Sequence, residues 1–138
     1  QADGERVGYH GFEPDGEGGR RAFAGHARFD DGDRVETEIP PGGTHTHSNS
    51  PAVLVTDGST DIPCNLLYRW DETAGAYDGP RALASHDWGP GSPHPHSRLL
   101  PGDDRVVFDA TGPDGSSAPF VARIPGWDDL PPLETVEF

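Results

Sequence analysis

The residues best suited to chemistry are two His-x-His pairs. His45-Thr46-His47 follows Pro41-Gly42-Gly43-Thr44, and His94-Pro95-His96 follows Pro90-Gly91-Ser92-Pro93. The stretches 41–48 and 90–97 agree at Pro, Gly, both histidines and the closing Ser, five positions of eight, at an offset of 49 residues. On an extended strand residues i and i+2 point the same way, so each pair offers two imidazoles to one side. Neutral imidazole is a ligand for Zn, Fe, Cu, Ni or Mn, and the spacing does not choose among them. His45, His47, His94 and His96 are therefore the candidate ligands of a divalent transition metal. His86, ten residues before His96, is a possible addition; His10 and His26 lie too far along the chain to place. Histidines beside Pro and Gly on a surface often do nothing, so a chain with no metal is the alternative.

The second pair is interrupted by prolines, which cannot donate to a sheet ladder. It belongs on an edge, a polyproline-like segment or a loop rim. Asp87 beside His86 and Asp57 at a strand end read as turn or surface residues. No Ser-His-Asp spacing, nucleophile elbow or phosphate-binding loop accompanies the histidines, and no general base stands out.

The elements that must position these residues are short strands. The sequence predicts strands over 21–29, with Phe23 and Phe29 inward, and over 34–39, with Val35, Thr37 and Ile39 on one face and a turn at Asp30-Asp31-Gly32-Asp33. Further strands are predicted over 52–56, 65–70, 105–110 and 118–124, with Gly-Pro turns between them. Residues 78–93 read as a loop with at most one helical turn at Ala82-Leu83-Ala84. No helical period lasts ten residues. The fold class is all-β, a single-domain antiparallel sandwich or jelly-roll barrel over 1–138, with 1–20 as an N-terminal arm or edge strand and 125–138 as a surface tail.

Pro40-Pro41-Gly42-Gly43-Thr44-His45-Thr46-His47, followed by Ala52-Val53-Leu54-Val55-Thr56-Asp57-Gly58, resembles the first motif of the cupin superfamily. Trp88-Gly89-Pro90-Gly91-Ser92-Pro93-His94 resembles the second. The acidic ligand's usual place holds Ser50-Pro51, and the Asn expected after the third His is absent. The resemblance covers roughly residues 38–108. It implies a small double-stranded β-helix with His45, His47 and His94 or His96 on one metal. It names no activity, because the fold hosts enzymes and non-enzymes alike.

Composition limits the remaining classes. There are 16 Asp and 8 Glu against 10 Arg, no Lys, and a net charge of −14. Such a balance opposes binding to nucleic acid or anionic membrane, which needs clustered cations. It matches solvation in concentrated salt, as in a halophile. Leu, Ile, Val and Phe make up 18% of the chain and Gly plus Pro 25%, a thin core that bound metal, a partner subunit or salt would have to supplement. The lone Cys64 excludes an internal disulfide and reads as a buried filler. No apolar run approaches the roughly 20 residues of a membrane span. The start at Gln1 fits a processed protein, extracellular or at the cell surface; a halophile cytoplasm is the alternative. Two functions follow. One is a cupin-like metal-binding domain of undefined activity. The other is a non-enzymatic structural subunit of a filament, virion or envelope, self-associating through its β edges and terminal arms.

Overall fold

The computed structural model describes residues 4–30, 32, 34–43 and 45–138. Asp31 and Asp33 of the expected turn, Thr44 and Gln1 lie outside this set. The described residues form ten strands and two single-turn 3-10 helices, Trp127–Asp129 and Leu133–Thr135. The strands are β1 (Arg6–Pro14), β2 (Arg20–Arg28), β3 (Arg34–Glu38), β4 (Thr46–Ser50), β5 (Val53–Thr56), β6 (Cys64–Asp71), β7 (Ala76–Ser85), β8 (Arg98–Leu99), β9 (Arg105–Thr111) and β10 (Ser117–Arg123). They build three antiparallel sheets, β1-β2-β3, β4-β5-β6-β7 and β8-β9-β10. The all-β sandwich expected from the sequence is what the chain forms. Strand order follows chain order in every sheet. Each sheet is thus a meander, without the cross-sequence pairing that defines a jelly roll.

The four-stranded sheet lies in the middle. One of its faces meets the first sheet through Leu54, Leu66, Tyr68 and Ala82 against Ala22, Ala24 and Ile39. Its other face meets the third sheet through Val55 and Leu67 against Leu99, Val106 and Phe108. This explains the unbroken burial of 64–68, where alternation would otherwise be expected: both faces of β6 are covered. A chain with few large apolar residues gets two thin cores from one strand. Cys64 is buried there, as expected, and burial raises its thiol pKa.

Three local expectations need correction. In β2 the inward residues are Ala22, Ala24 and His26, while Phe29 is 71% exposed. Phe23 packs edge-on against Tyr9 at 6.4 Å on the outer face. The alternation was real but its phase was ambiguous, because small Ala side chains let the first sheet close tightly on Ile39 and Gly42. Residues 78–85 are not loop or helical turn but the last eight residues of β7. Its Gly79-Pro80 pair sits where the register with β6 shifts, on the edge strand of its sheet, a place where Pro is tolerated. The C-terminal segment does not merely lie on the surface: Leu130 is buried, Leu133 and Val136 pack on the first core, and Pro131 O accepts the Ala82 N–H at 3.0 Å. The N-terminal segment includes edge strand β1, paired with β2 over nine residues. No helix among the described residues is long and apolar enough to cross a membrane.

Candidate functional site

The Pro-Gly-Gly turn places His45. Gly42 adopts a left-handed φ of 83°, and a side chain there would collide with the Ala22 Cβ. Gly43 lies directly against the Thr56 side chain. This close approach delivers His45, just before β4, to Asp57, just after β5. Asp57 is fully buried. Its Oδ1 accepts the His45 backbone N–H at 3.0 Å, and its Oδ2 accepts the ring Nδ1–H at 2.7 Å. The Asp57 N–H in turn donates to the His45 carbonyl at 3.4 Å. A carboxylate removed from water needs such donors. The neutral ring therefore carries its proton on Nδ1 and presents a lone pair at Nε2. Asp57 is thus a positioning residue and not the turn or surface residue expected from its place in the sequence.

The second histidine pair is held from outside the sheets. Residues 93–97 are loop, as their prolines require. Pro95 and Ser97 are buried, so His94 and His96 between and beside them project outward. Pro95 O accepts the Asp109 N–H at 2.7 Å, and the Ser97 hydroxyl donates to the fully buried Asn65 Oδ1. His96 has a φ of 46°, a left-handed conformation that costs a non-glycine residue about 1–2 kcal/mol. The anchored neighbours hold it there. Strain of this kind clusters at binding sites.

These two supports bring three rings together. The His45 ring centroid lies 4.6 Å from that of His96 and 5.5 Å from that of His94, and His94 lies 5.4 Å from His96. Trp88 closes one side, 4.8 Å from His94. Three imidazoles on one tetrahedral ion, with metal–nitrogen bonds of about 2.0–2.1 Å, place their centroids roughly 5 Å apart. Among the described residues, however, no three His, Cys, Asp or Glu side chains already have their donor atoms gathered for an ion.

The other candidates are committed elsewhere. His47 Nδ1 accepts the Leu99 N–H at 3.1 Å, which puts the neutral ring's proton on Nε2 and leaves no lone pair to give. His86 Nε2 donates to the Asp57 carbonyl at 3.1 Å, and its Nδ1 accepts the Trp88 N–H at 3.4 Å. It steadies Asp57 and does not join the cluster. His10, which the sequence left unplaced, arrives on β1. It lines a concavity of about 300 Å³ together with His45, His47, His96 and Arg98. No short-range pattern marks His10; only the pairing of β1 in a sheet facing β4 brings it in. His26 is buried, edge-on to Trp70 at 5.8 Å, away from this cleft.

Burial lowers the pKa of His10, His47 and His86 below the ordinary 6.5. A nearby His45 adds to the effect at His10 and Arg98 adds to it at His47, while the Asp57 carbonyl opposes it at His86. In the unfolded chain all three titrate near 6.5. Above that pH both states are neutral and the three contribute nothing. As pH falls below 6.5 the unfolded state takes up protons that the folded state resists, so stability declines until the folded pKa values are passed. The melting temperature is accordingly expected to be level from pH 8 to about 7 and to fall towards pH 5. His86→Gln should flatten part of that slope; an unchanged slope in all three His→Gln variants would refute the assignment.

In comparisons with protein-family models, with curated proteins and with solved structures, nothing matches the chain.

Proposed function

We propose that the protein binds one divalent transition metal ion through His45, His94 and His96, with a fourth position left open. The observation that carries this reading is the meeting of three rings from segments 49 residues apart, one of them oriented by a fully buried carboxylate. A carboxylate behind a ligating histidine fixes its tautomer and raises its basicity, the usual second layer of a metal site. His94 and His96 are exposed, so their rings are free to turn their nitrogens towards the free Nε2 of His45. An all-imidazole set favours Zn, Cu or Ni over Mn, which prefers oxygen. The ligand set implied by the cupin resemblance is revised by one residue: His96 replaces His47, whose lone pair is taken. An open position on a three-His ion is where water or a substrate would bind.

The test is titration with Zn²⁺ by calorimetry and with Cu²⁺ by tryptophan fluorescence. One ion per chain is expected, with quenching lost in Trp88→Phe and retained in Trp127→Phe. Binding of similar strength by His45→Ala and by a His94→Ala/His96→Ala double variant would refute the site.

A second reading is supported by exposed apolar residues on the outer sheets. Phe120 and Val121 sit on edge strand β10, and Val7 and Phe12 on edge strand β1. Edge strands with apolar side chains are sites of strand addition. In that reading the protein is a self-associating structural subunit. Its mass in solution, measured on the same sample, separates the two: a monomer holding one ion supports the first, and a metal-free polymer the second.

A further inference from the structure

One side chain of the cleft is unexplained by a three-histidine metal site. Arg98, on β8, lines the same concavity as His10, His45, His47 and His96. Among the arginines, Arg21, Arg28, Arg34, Arg69 and Arg105 each pair with a carboxylate. Arg20 lies over Phe12, and Arg81 bonds the Leu130 carbonyl and lies over Trp127. Arg98 and Arg123 have no carboxylate or aromatic partner among the described residues, in a chain with 24 Asp and Glu, and of these two only Arg98 lines the cleft. The lining of the concavity holds no carboxylate at all. The chain is strongly acidic overall, yet this wall carries a guanidinium and four imidazoles.

A guanidinium is a planar fork of donors that matches carboxylate and phosphate oxygens. Imidazole N–H groups add further donors, such as the Nε2–H of His47 that follows from its bond to Leu99. About 300 Å³ is the lower end of small-ligand pockets. We propose that the cleft is a binding site for a small oxyanion, a phosphate or carboxylate group, anchored by Arg98 and reaching the open position of the metal. The second contact rests on the metal reading; the anchoring by Arg98 does not.

The experiment is a ¹H–¹⁵N NMR titration of the metal-free protein with inorganic phosphate and, separately, with malonate, at constant ionic strength. The Arg98 Nε and the backbone amides of Ser97 and Arg98 should shift saturably. Arg98→Gln should weaken binding at least tenfold, and Arg123→Gln, on the far edge strand β10, should leave it unchanged. The spectrum's dispersion shows in the same run that each variant is folded. Equal binding by Arg98→Gln and the parent protein, or no saturable shift, would overturn the anion site whatever the metal does. Repetition with one equivalent of Zn²⁺ tests the second contact. At least fivefold tighter phosphate binding is expected, and no tightening with zinc demonstrably bound would remove the bridging role. Malonate and phosphate binding compared under the same conditions identifies which oxyanion the cleft prefers.

Discussion

Asp57→Asn is expected to hold Zn²⁺ about 10–100-fold more weakly than the parent protein while keeping the fold, the usual effect of losing a group that orients a metal ligand. The reason is a count of donors and acceptors. Asp57 presents two oxygens to two N–H groups of His45, the backbone one and Nδ1–H. Asn is the same size but presents one oxygen and one NH₂. If its oxygen keeps the backbone N–H, its NH₂ faces the ring and Nδ1 must become an acceptor. The neutral ring's proton then moves to Nε2, and the lone pair aimed at the cluster is lost. If the oxygen instead keeps the ring, a buried backbone N–H is left facing a donor, at about 1–3 kcal/mol. Asp57→Ala removes both bonds and leaves a void, so it should cost more stability than Asp57→Asn. The checks are competition calorimetry for zinc and the ¹⁵N shifts of the His45 ring, which report the tautomer directly. Zinc affinity within twofold of the parent protein, with the Nε2–H tautomer observed, would disprove the role given to Asp57.

The parts of this site that were legible in the sequence were those carried by local pattern. Pro-Gly before each His-x-His marked two turns, and the rings of His45, His94 and His96 do meet. The prolines at 93 and 95 limited the second pair to a sheet edge, a polyproline-like segment or a loop rim, and residues 93–97 are loop. What was not legible depends on burial and on which strands face each other. Asp57 at the end of Val53-Leu54-Val55-Thr56 has the composition of a turn residue. His45 and His86, 12 and 29 residues away, close on it and make it a buried acceptor. His47 shares a strand rule with His45, but the rule says where a side chain points and not which backbone N–H it meets. Leu99, 52 residues away, decides that. His10 and Arg98 reach the cleft through pairings that no short window contains.

The same distinction governs the fold's energetics, and the expected result there inverts residue size. Leu67→Ala should cost about 2–5 kcal/mol, the range for truncating a buried Leu. Phe29→Ala should stay within about 0.5 kcal/mol, as exposed substitutions do. From the sequence alone the two are not told apart: the alternation of 21–29 put Phe29 inward, and Leu67 lies in the strand predicted over 65–70. In the structure Leu67 is fully buried between the middle and third sheets, against Leu99 and Val106, whereas Phe29 is 71% exposed. Because a protein of this size has only about 5–15 kcal/mol of total stability, the loss at Leu67 is a large share of it. Leu67 also backs the sheet that carries Asp109, whose N–H holds Pro95, so its truncation should loosen the 93–97 loop and weaken zinc binding along with the fold. Leu66→Ala, facing the first sheet, should cost a similar amount of stability with less effect on zinc. Urea unfolding measures both costs, as a lowered midpoint at unchanged slope. If Phe29→Ala lowers the midpoint as far as Leu67→Ala does, β2 faces the other way, and Ala22, Ala24 and His26 do not line the first core.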